Sequence, residues 1–191
     1  MTDASSTVLS DRAGPEDRVG VWAVPGGWMF VVADGAGGQG GGAAAAERVH
    51  AGLGDAPDWV PHLARLDAEL LGDPEAGEST AVIGRLVGGR VEGASVGDSE
   101  AWIIGPKTVT VLTRDQGRSR LGSGRANPVA FEGRFGSQDT LVVASDGLFR
   151  GASREAILES VRAGADAVGL AEVARGASGR LYDDVGVVVV R

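Results

Sequence analysis

Runs of hydrophobic residues separated by short polar turns predict strands followed by helices in the first third of the chain. The β-rich runs 19–24 and 28–33 are joined by a Pro-Gly-Gly turn, which predicts an antiparallel hairpin. A glycine run over 35–42 leads into two helical patterns, over 43–53 and 58–71. Residues 1–11 are mostly polar, and we expect a loose N-terminal segment.

From residue 80 the hydrophobic spacing changes to alternation, which is typical of strands. Gly-containing turns separate these strands, and their order predicts an antiparallel meander. The predicted strands cover 80–87, 90–96, 100–104 and 108–112. Residues 113–138 are polar and Gly-rich, and we predict that they form one long connection.

The last third of the chain combines strands and helices. A strand is predicted over 140–144, and a buried closing strand over 185–190. Between them, Ser153 and Asp166 are placed to cap helices over 153–163 and 166–181. Strands in hairpin order with helices in pairs indicate an α+β fold, with antiparallel sheet packed by helices rather than βαβ units. No linker divides residues 1–191, so we expect a single domain.

Composition narrows the chemistry that the chain can perform. The chain has no Cys, which excludes thiolate nucleophiles and cysteine metal sites. Its two His residues are twelve residues apart, and its one Lys lacks a Walker A loop, which argues against P-loop nucleotide binding. A formal net charge of −8 argues against nucleic acid as a partner. With no recognisable secretory signal or membrane-spanning run, we expect a monomeric cytoplasmic protein.

Acidic residues stand at the ends of several predicted strands. Asp34, Asp98 and Asp146 each follow a hydrophobic run, and acidic pairs precede the first and last strands at Glu16-Asp17 and Asp183-Asp184. An Asp-Gly hairpin turn is the alternative explanation for any one of them. Strands of one sheet bring their ends together, and converged carboxylates without His or Cys select hard divalent cations.

Six segments of the chain, in order, resemble the motifs of one enzyme family. They are DRAGPEDR (11–18), VVADGAGG (31–38), GESTAVI (77–83), ASVGDSEA (94–101), LVVASDGL (141–148) and YDDVGVVVV (182–190). The family is the type 2C metal-dependent serine/threonine protein phosphatases, or PPM superfamily, and the chain resembles its small bacterial stand-alone members. The resemblance spans residues 12–190.

The resemblance implies three catalytic residues. Arg12 would contact the substrate phosphate, for which a guanidinium is well suited. Asp34 would bridge two Mn²⁺ or Mg²⁺ ions, and Asp146 would bind one of them. The reaction implied is hydrolysis of phosphoserine or phosphothreonine by in-line attack of a hydroxide that bridges the two ions.

Further metal-binding groups are implied in the same way. The carbonyl oxygen of Gly35 and the carboxylate of Asp183 would complete the two-metal site. Glu16 and Asp17 would act mostly through metal-bound waters, and Asp98 would hold a weaker third ion. The partner implied is a phosphorylated protein, with a serine/threonine kinase catalysing the opposite reaction.

The family fold implied is a sandwich of two antiparallel sheets flanked by helix pairs, with a shortened flap at residues 113–138. This stretch is rich in arginine. Its charged residues are Arg114, Arg118, Arg120, Arg125 and Arg134, with Asp115 and Glu132. Two interpretations stay open: a solvated loop, or a positive lip that attracts phosphorylated protein.

The chain departs from the family pattern at several positions. Pro15 and Asp184 stand where the family has Asn, and Glu100 stands where it has Arg. Ala36 occupies the position of a histidine that animal members use as a proposed general acid. Glu100 and Asp184 would alter the surroundings of the metal ligands and therefore the metal affinity.

Two other functions remain open beside the phosphatase hypothesis. The altered surroundings are compatible with a phosphatase-fold module that binds phosphoproteins with little or no hydrolysis. The run Gly35, Gly37 and Gly40, with Asp55 about 20 residues further on, also matches a dinucleotide-binding fingerprint. Asp34 beside a diphosphate and the preceding hairpin argue against that fingerprint.

Overall fold

The structure, a computed structural model, describes residues 3–37, 41–53, 58–114 and 116–191. The strands are β1 (Ala4–Leu9), β2 (Arg18–Val24), β3 (Gly27–Ala33), β4 (Gly35–Ala36), β5 (Glu78–Ser79), β6 (Ala81–Val87), β7 (Arg90–Val96), β8 (Glu100–Ile104), β9 (Val109–Val111), β10 (Val129–Arg134), β11 (Thr140–Ala144) and β12 (Val185–Val190). The helices are α1 (Gly41–Ala51), α2 (Trp59–Leu71), α3 (Asp146–Gly151), α4 (Arg154–Arg162) and α5 (Ala167–Glu172). Over the described ranges, no helix has the length and apolar character needed to span a bilayer.

Two five-stranded sheets form the centre of the molecule. The first sheet has the order β1-β12-β11-β8-β9, and the second has the order β10-β7-β6-β3-β2. Neighbouring strands in both sheets pair antiparallel. The predicted hairpin is confirmed, since β2 and β3 pair from Arg18 opposite Ala33 to Val24 opposite Gly27.

Alternating side chains of the strands fill three separate apolar layers. In β3, Phe30 and Val32 pack between the two sheets, whereas Val31 and Ala33 face helices α1 and α2. In β12, Val188 packs between the sheets, and Val187 packs on the side of α4 and α5. Because side chains alternate along each strand, each sheet packs one face against the other sheet and the opposite face against helices. The layers therefore run in the order helix, sheet, sheet, helix. The predicted α+β sandwich flanked by helix pairs is confirmed.

Both predicted helix caps are confirmed, but one of the two helices is shorter than predicted. The hydroxyl of Ser153 accepts a hydrogen bond from the backbone N–H of Ala156, and the carboxylate of Asp166 accepts one from Gly169. The helix that Asp166 caps ends at Glu172, although we predicted a helix to residue 181. After Glu172 the backbone N–H groups of Val173, Ala174 and Arg175 donate to carbonyl oxygens three residues back, so the helix passes into turns. Gly179, with a φ of +74°, excludes a helix up to residue 181.

The predicted meander is wrong at its centre. Strands β7 and β8 do not pair but lie in different sheets, so the chain crosses the sandwich between Val96 and Glu100. Gly97 makes this crossing with a φ of +97°, and a Cβ there would lie 2.7 Å from a Thr80 methyl. The crossing carries Asp98 to the edge of both sheets.

Two edge strands were not predicted. The N-terminal segment that we expected to be loose contains β1, which pairs with β12 along its whole length. The connection over 113–138 contains β10, which pairs with β7. Both are partly exposed edge strands, and their sequences carry little hydrophobic alternation.

Candidate metal centre

Three acidic residues meet where strands of the two sheets end. Asp34 follows β3, Asp98 lies in the crossing between β7 and β8, and Asp146 begins α3 after β11. One carboxylate oxygen from each lies within 4.8 Å of the other two. Oδ1 of Asp98 is buried and accepts no hydrogen bond from the described residues.

The glycines after two of these aspartates allow a close backbone approach. A Cβ at Gly35 would lie 2.2 Å from the carbonyl oxygen of Gly42, at the start of α1. A Cβ at Gly147 would lie 1.9 Å from the carbonyl oxygen of Asp184. Neither Asp-Gly pair is a hairpin turn, because Asp34 precedes the β4–β5 ladder and Asp146 begins a helix. The hairpin-turn explanation therefore fails for both.

Asp17 lies in the interior beside this centre. Its Oδ2 accepts hydrogen bonds from the Ser145 hydroxyl at 2.7 Å and from the backbone N–H of Gly186 at 2.8 Å. These bonds tie β12 and the start of α3 to the segment before β2. Burial, together with the charges of Asp184 and Asp183, raises the pKa of Asp17 to about 7.

The charge of the neighbouring acids also acts on Asp34 and Asp146. Burial and then the Asp17 and Asp146 carboxylates raise the pKa of Asp34 to about 8. Burial and then the Asp98 carboxylate raise the pKa of Asp146. Without a cation, burial and mutual repulsion disfavour the charged forms of these carboxylates.

Arg12 is bound to the acidic pair at the start of β12. Its guanidinium contacts Asp183 Oδ1, and its Nε lies 3.3 Å from Asp184 Oδ1. Asp184 is buried and also accepts hydrogen bonds from the Ser10 hydroxyl and the Glu16 backbone N–H. Asp184, one of the departures from the family pattern, thus fixes the position of Arg12.

The remaining predicted ligands lie around this group. Gly35 is buried in β4. Glu16 packs against Gly35 and the start of α1, with its carboxylate 3.8 Å from Arg12. Asp183 has a side chain 42% exposed. Among the residues that the structure describes, Asp34, Asp98 and Asp146 are the one group of three or more whose ligand atoms all lie within 4.8 Å of one another.

Two further arginines act on the centre: Arg150, which the sequence analysis did not name, and Arg120, which it named only as part of the arginine-rich stretch. Arg150 lies 2.8 Å from Asp146 Oδ2 and 3.6 Å from Asp98 Oδ2. Its spacing of four residues from Asp146 on a helix was a usable signal. Arg120 is near enough that its charge acts against the upward pKa shifts of Asp34 and Asp146.

The donor set fits hard divalent cations. The converging atoms are carboxylate oxygens, and Oδ1 of Asp98 is buried without a hydrogen bond from the described residues, which leaves it available to a cation. Oxygen-only sites of this kind suit Mg²⁺ or Mn²⁺. A bound cation would offset the repulsion that raises the pKa of Asp34 and Asp146.

The predicted arginine-rich lip is only partly adjacent to this centre. Arg114, Arg118, Asp98 and Gln116 line a cavity of about 290 Å³. Arg134, in contrast, ends β10 opposite Arg90, at the far end of β7 from Asp98, and does not belong to the lip. Asp115 lies outside the described residues.

The dinucleotide alternative does not agree with the strand pairing. Strand β3, which leads into the glycine run, pairs antiparallel with both β2 and β6. A dinucleotide fingerprint requires a parallel βαβ unit at this point. Gly40 and Asp55 of that fingerprint lie outside the described residues.

Comparison with protein-family models and with curated proteins finds no match to this chain. Solved structures do match. The Mycobacterium tuberculosis serine/threonine phosphatase PstP, whose catalytic domain was solved with two manganese ions, is 23% identical, with a TM-score of 0.77 and coverage of 100% of this chain and 96% of that chain.

Two further phosphatases are similar over nearly their whole length. Stp1 from Staphylococcus aureus is 18% identical, with a TM-score of 0.80 and coverage of 100% of this chain and 94% of that chain. The serine/threonine phosphatase of S. agalactiae is 16% identical, with a TM-score of 0.83 and coverage of 100% and 99%. The resemblance seen in the motifs is thereby confirmed at the level of the fold: the chain folds like the bacterial PPM-type serine/threonine phosphatases.

Proposed function

We propose that this chain is a divalent-cation-dependent phosphatase that hydrolyses phosphoserine and phosphothreonine in proteins. The observation that carries the proposal is the convergence of the Asp34, Asp98 and Asp146 carboxylates at one end of the sandwich. The fold that the chain shares with bacterial serine/threonine phosphatases supports it. We treat residues 1–191 as one catalytic domain that works as a monomer in the cytoplasm.

The proposed ligands of two cations are the carboxylates of Asp34, Asp146 and Asp183 and the carbonyl oxygen of Gly35. Glu16 and Asp17 would act through water, and Asp98 would hold a weaker third ion. Bound Mn²⁺ or Mg²⁺ would supply positive charge to the phosphate and lower the pKa of water that attacks phosphorus.

The chain's own groups position the substrate in this proposal. Arg12 would bind a phosphate oxygen, and its contact with buried Asp184 restricts the orientation of the guanidinium. As the new bond from water to phosphorus forms, the bond from phosphorus to the serine or threonine oxygen breaks. Ala36 carries no titratable group, so the leaving oxygen would take its proton from water.

Hydrolysis of p-nitrophenyl phosphate with Mn²⁺ or Mg²⁺ tests this proposal. The wild type is expected to require the cation, and Asp146→Asn is expected to lower kcat/KM by at least about 100-fold, because it removes a charged ligand. Asp139→Asn, remote from the centre, serves as the control. A wild type as inactive as Asp146→Asn, with no cation binding, would refute the proposal.

Binding of phosphoproteins without hydrolysis is a second candidate function. It is favoured by the ion pair between Arg12 and Asp183, because a guanidinium bound to a proposed metal ligand competes with the cation that hydrolysis requires. A wild type that binds a phosphothreonine peptide but releases no phosphate with any divalent cation would support this second function.

A further inference from the structure

The segment before β10 is fixed against the candidate metal centre by a two-way backbone bridge. Leu121 donates to the carbonyl oxygen of Ser79 at 2.9 Å, and Ser79 donates to that of Leu121 at 3.0 Å. The Ser79 hydroxyl lies 3.2 Å from the carbonyl oxygen of Asp34. Leu121 is fully buried in the layer beneath α1 and α2. Its neighbour Arg120 is therefore held close to Asp34.

A buried carboxylate anchors the same segment from the other side. Asp67 of α2 accepts backbone hydrogen bonds from Gly122 and Gly124 through Oδ1, and from Ala126 through Oδ2. Asp67 is only 8% exposed. Residues 120–126, which we call the anchored loop, thus have a defined position beside the centre rather than that of a freely solvated loop.

Arg120 differs from the other two arginines of the centre. Arg12 contacts Asp183 and Asp184, and Arg150 contacts Asp146 and Asp98. Arg120 forms no ion pair with any residue that the structure describes, and its Nε is buried without a hydrogen-bond partner there. A buried guanidinium donor without a partner is costly, and a ligand oxygen would remove that cost.

We propose that Arg120 binds an oxygen of the substrate's phosphate group at the Asp34–Asp146 side of the centre, as a second phosphate-binding arginine beside Arg12. This inference rests on the proposed function for the identity of the ligand. A guanidinium offers several N–H donors in one plane, which suits the oxygens of a phosphate. Arg12 serves the Asp183–Asp184 side, so the two arginines would contact different oxygens.

A simpler role for Arg120 is to offset the charge of the acids without touching the substrate. The two roles predict different effects of its removal on phosphate binding. Loss of a merely charge-offsetting arginine would strengthen Mn²⁺ binding and leave phosphate binding to the Mn²⁺-loaded protein unchanged. Loss of a phosphate-binding arginine would weaken phosphate binding, whatever happens to Mn²⁺.

The test is calorimetric titration of the Mn²⁺-loaded protein with inorganic phosphate, using Arg120→Ala, Arg120→Lys and the control Arg125→Ala. Arg125 is an exposed arginine of the same anchored loop. Arg120→Ala is expected to weaken phosphate binding by about 10- to 100-fold, with partial recovery in Arg120→Lys and no change in Arg125→Ala. Mn²⁺ titrations and thermal unfolding of each variant verify that the centre and the fold are retained.

The hydrolysis assay separates this inference from the proposed function. An active wild type whose phosphate affinity is the same in Arg120→Ala would overturn the role of Arg120 and leave the phosphatase proposal intact. An inactive wild type that binds phosphate through Arg120 would overturn the phosphatase proposal alone. A wild type that neither hydrolyses p-nitrophenyl phosphate nor binds phosphate would overturn both.

Discussion

At the residue scale, the buried aspartates make the metal-free protein sensitive to pH. Asp34 and Asp17 have pKa values raised to about 8 and about 7, whereas an unfolded aspartate ionises near its ordinary value of 3.8. Between these values the folded chain holds protons that the unfolded chain has released. The stability that this protonation contributes is complete below about pH 4 and is lost as the pH rises through 7 to 8.

The free energy of unfolding in the presence of a chelator is therefore expected to fall from pH 5 to pH 9. Asp34→Asn removes one of the two groups and should raise the stability at pH 9 by on the order of 2 kcal/mol, while flattening the dependence. Urea denaturation at several pH values measures this, with exposed Asp3→Asn as the control. Equal pH profiles for wild type and Asp34→Asn would contradict the electrostatic description of the centre.

The backbone around Asp146 leaves no room for a side chain at Gly147. A Cβ at Gly147 would lie 1.9 Å from the carbonyl oxygen of Asp184, which is backbone and cannot move alone. Gly147→Ala is expected to destabilise the fold by about 1–3 kcal/mol and to weaken Mn²⁺ binding, because the start of α3 must move away from β12. The control is Gly14→Ala, where a Cβ would meet nothing within 4 Å.

Urea denaturation and Mn²⁺ calorimetry on both variants measure these effects. Unchanged stability and Mn²⁺ affinity in Gly147→Ala would show that this close approach does not set the geometry of the centre.

At the scale of elements, helix α2 fixes the anchored loop through a single side chain. Asp67→Ala would leave three backbone N–H groups without their acceptor. We expect a loss of about 2–3 kcal/mol in stability and faster hydrogen exchange confined to residues 120–126. Glu69→Ala, on an exposed position of the same helix, should change neither quantity. Exchange rates equal to those of wild type in Asp67→Ala would contradict the anchoring.

Some strands and helices could be predicted from the sequence, and others could not. Apolar runs predicted β3 and β12, and the spacing of apolar residues predicted α2, because each element contributes buried side chains to the core. The crossing at Gly97 resembles an ordinary hairpin turn in sequence, and only the packing of two sheets separates β7 from β8. Edge strands β1 and β10 were not predicted, because one side of each is open to solvent.

At the scale of the whole molecule, the sandwich brings strand ends from both sheets to one edge. Asp34 comes from the second sheet, Asp146 follows a strand of the first, and Asp98 lies where the chain passes between them. The acidic residues of this edge were predictable from their motifs. The placement of Arg120, rather than another arginine of residues 113–138, beside the centre was not predictable. It depends on the Ser79–Leu121 bridge and on the hydrogen bonds that Asp67 accepts.

The proposed hydrolysis requires divalent cations bound by the carboxylates at this edge of the sandwich. Anomalous diffraction from crystals soaked in Mn²⁺, recorded at the manganese absorption edge, locates such cations. We expect difference peaks within coordination distance of the Asp34 and Asp146 carboxylates, and their loss in Asp34→Asn. Saturating Mn²⁺ that gives no peak at these carboxylates, or peaks only elsewhere on the surface, would contradict cation binding at this edge.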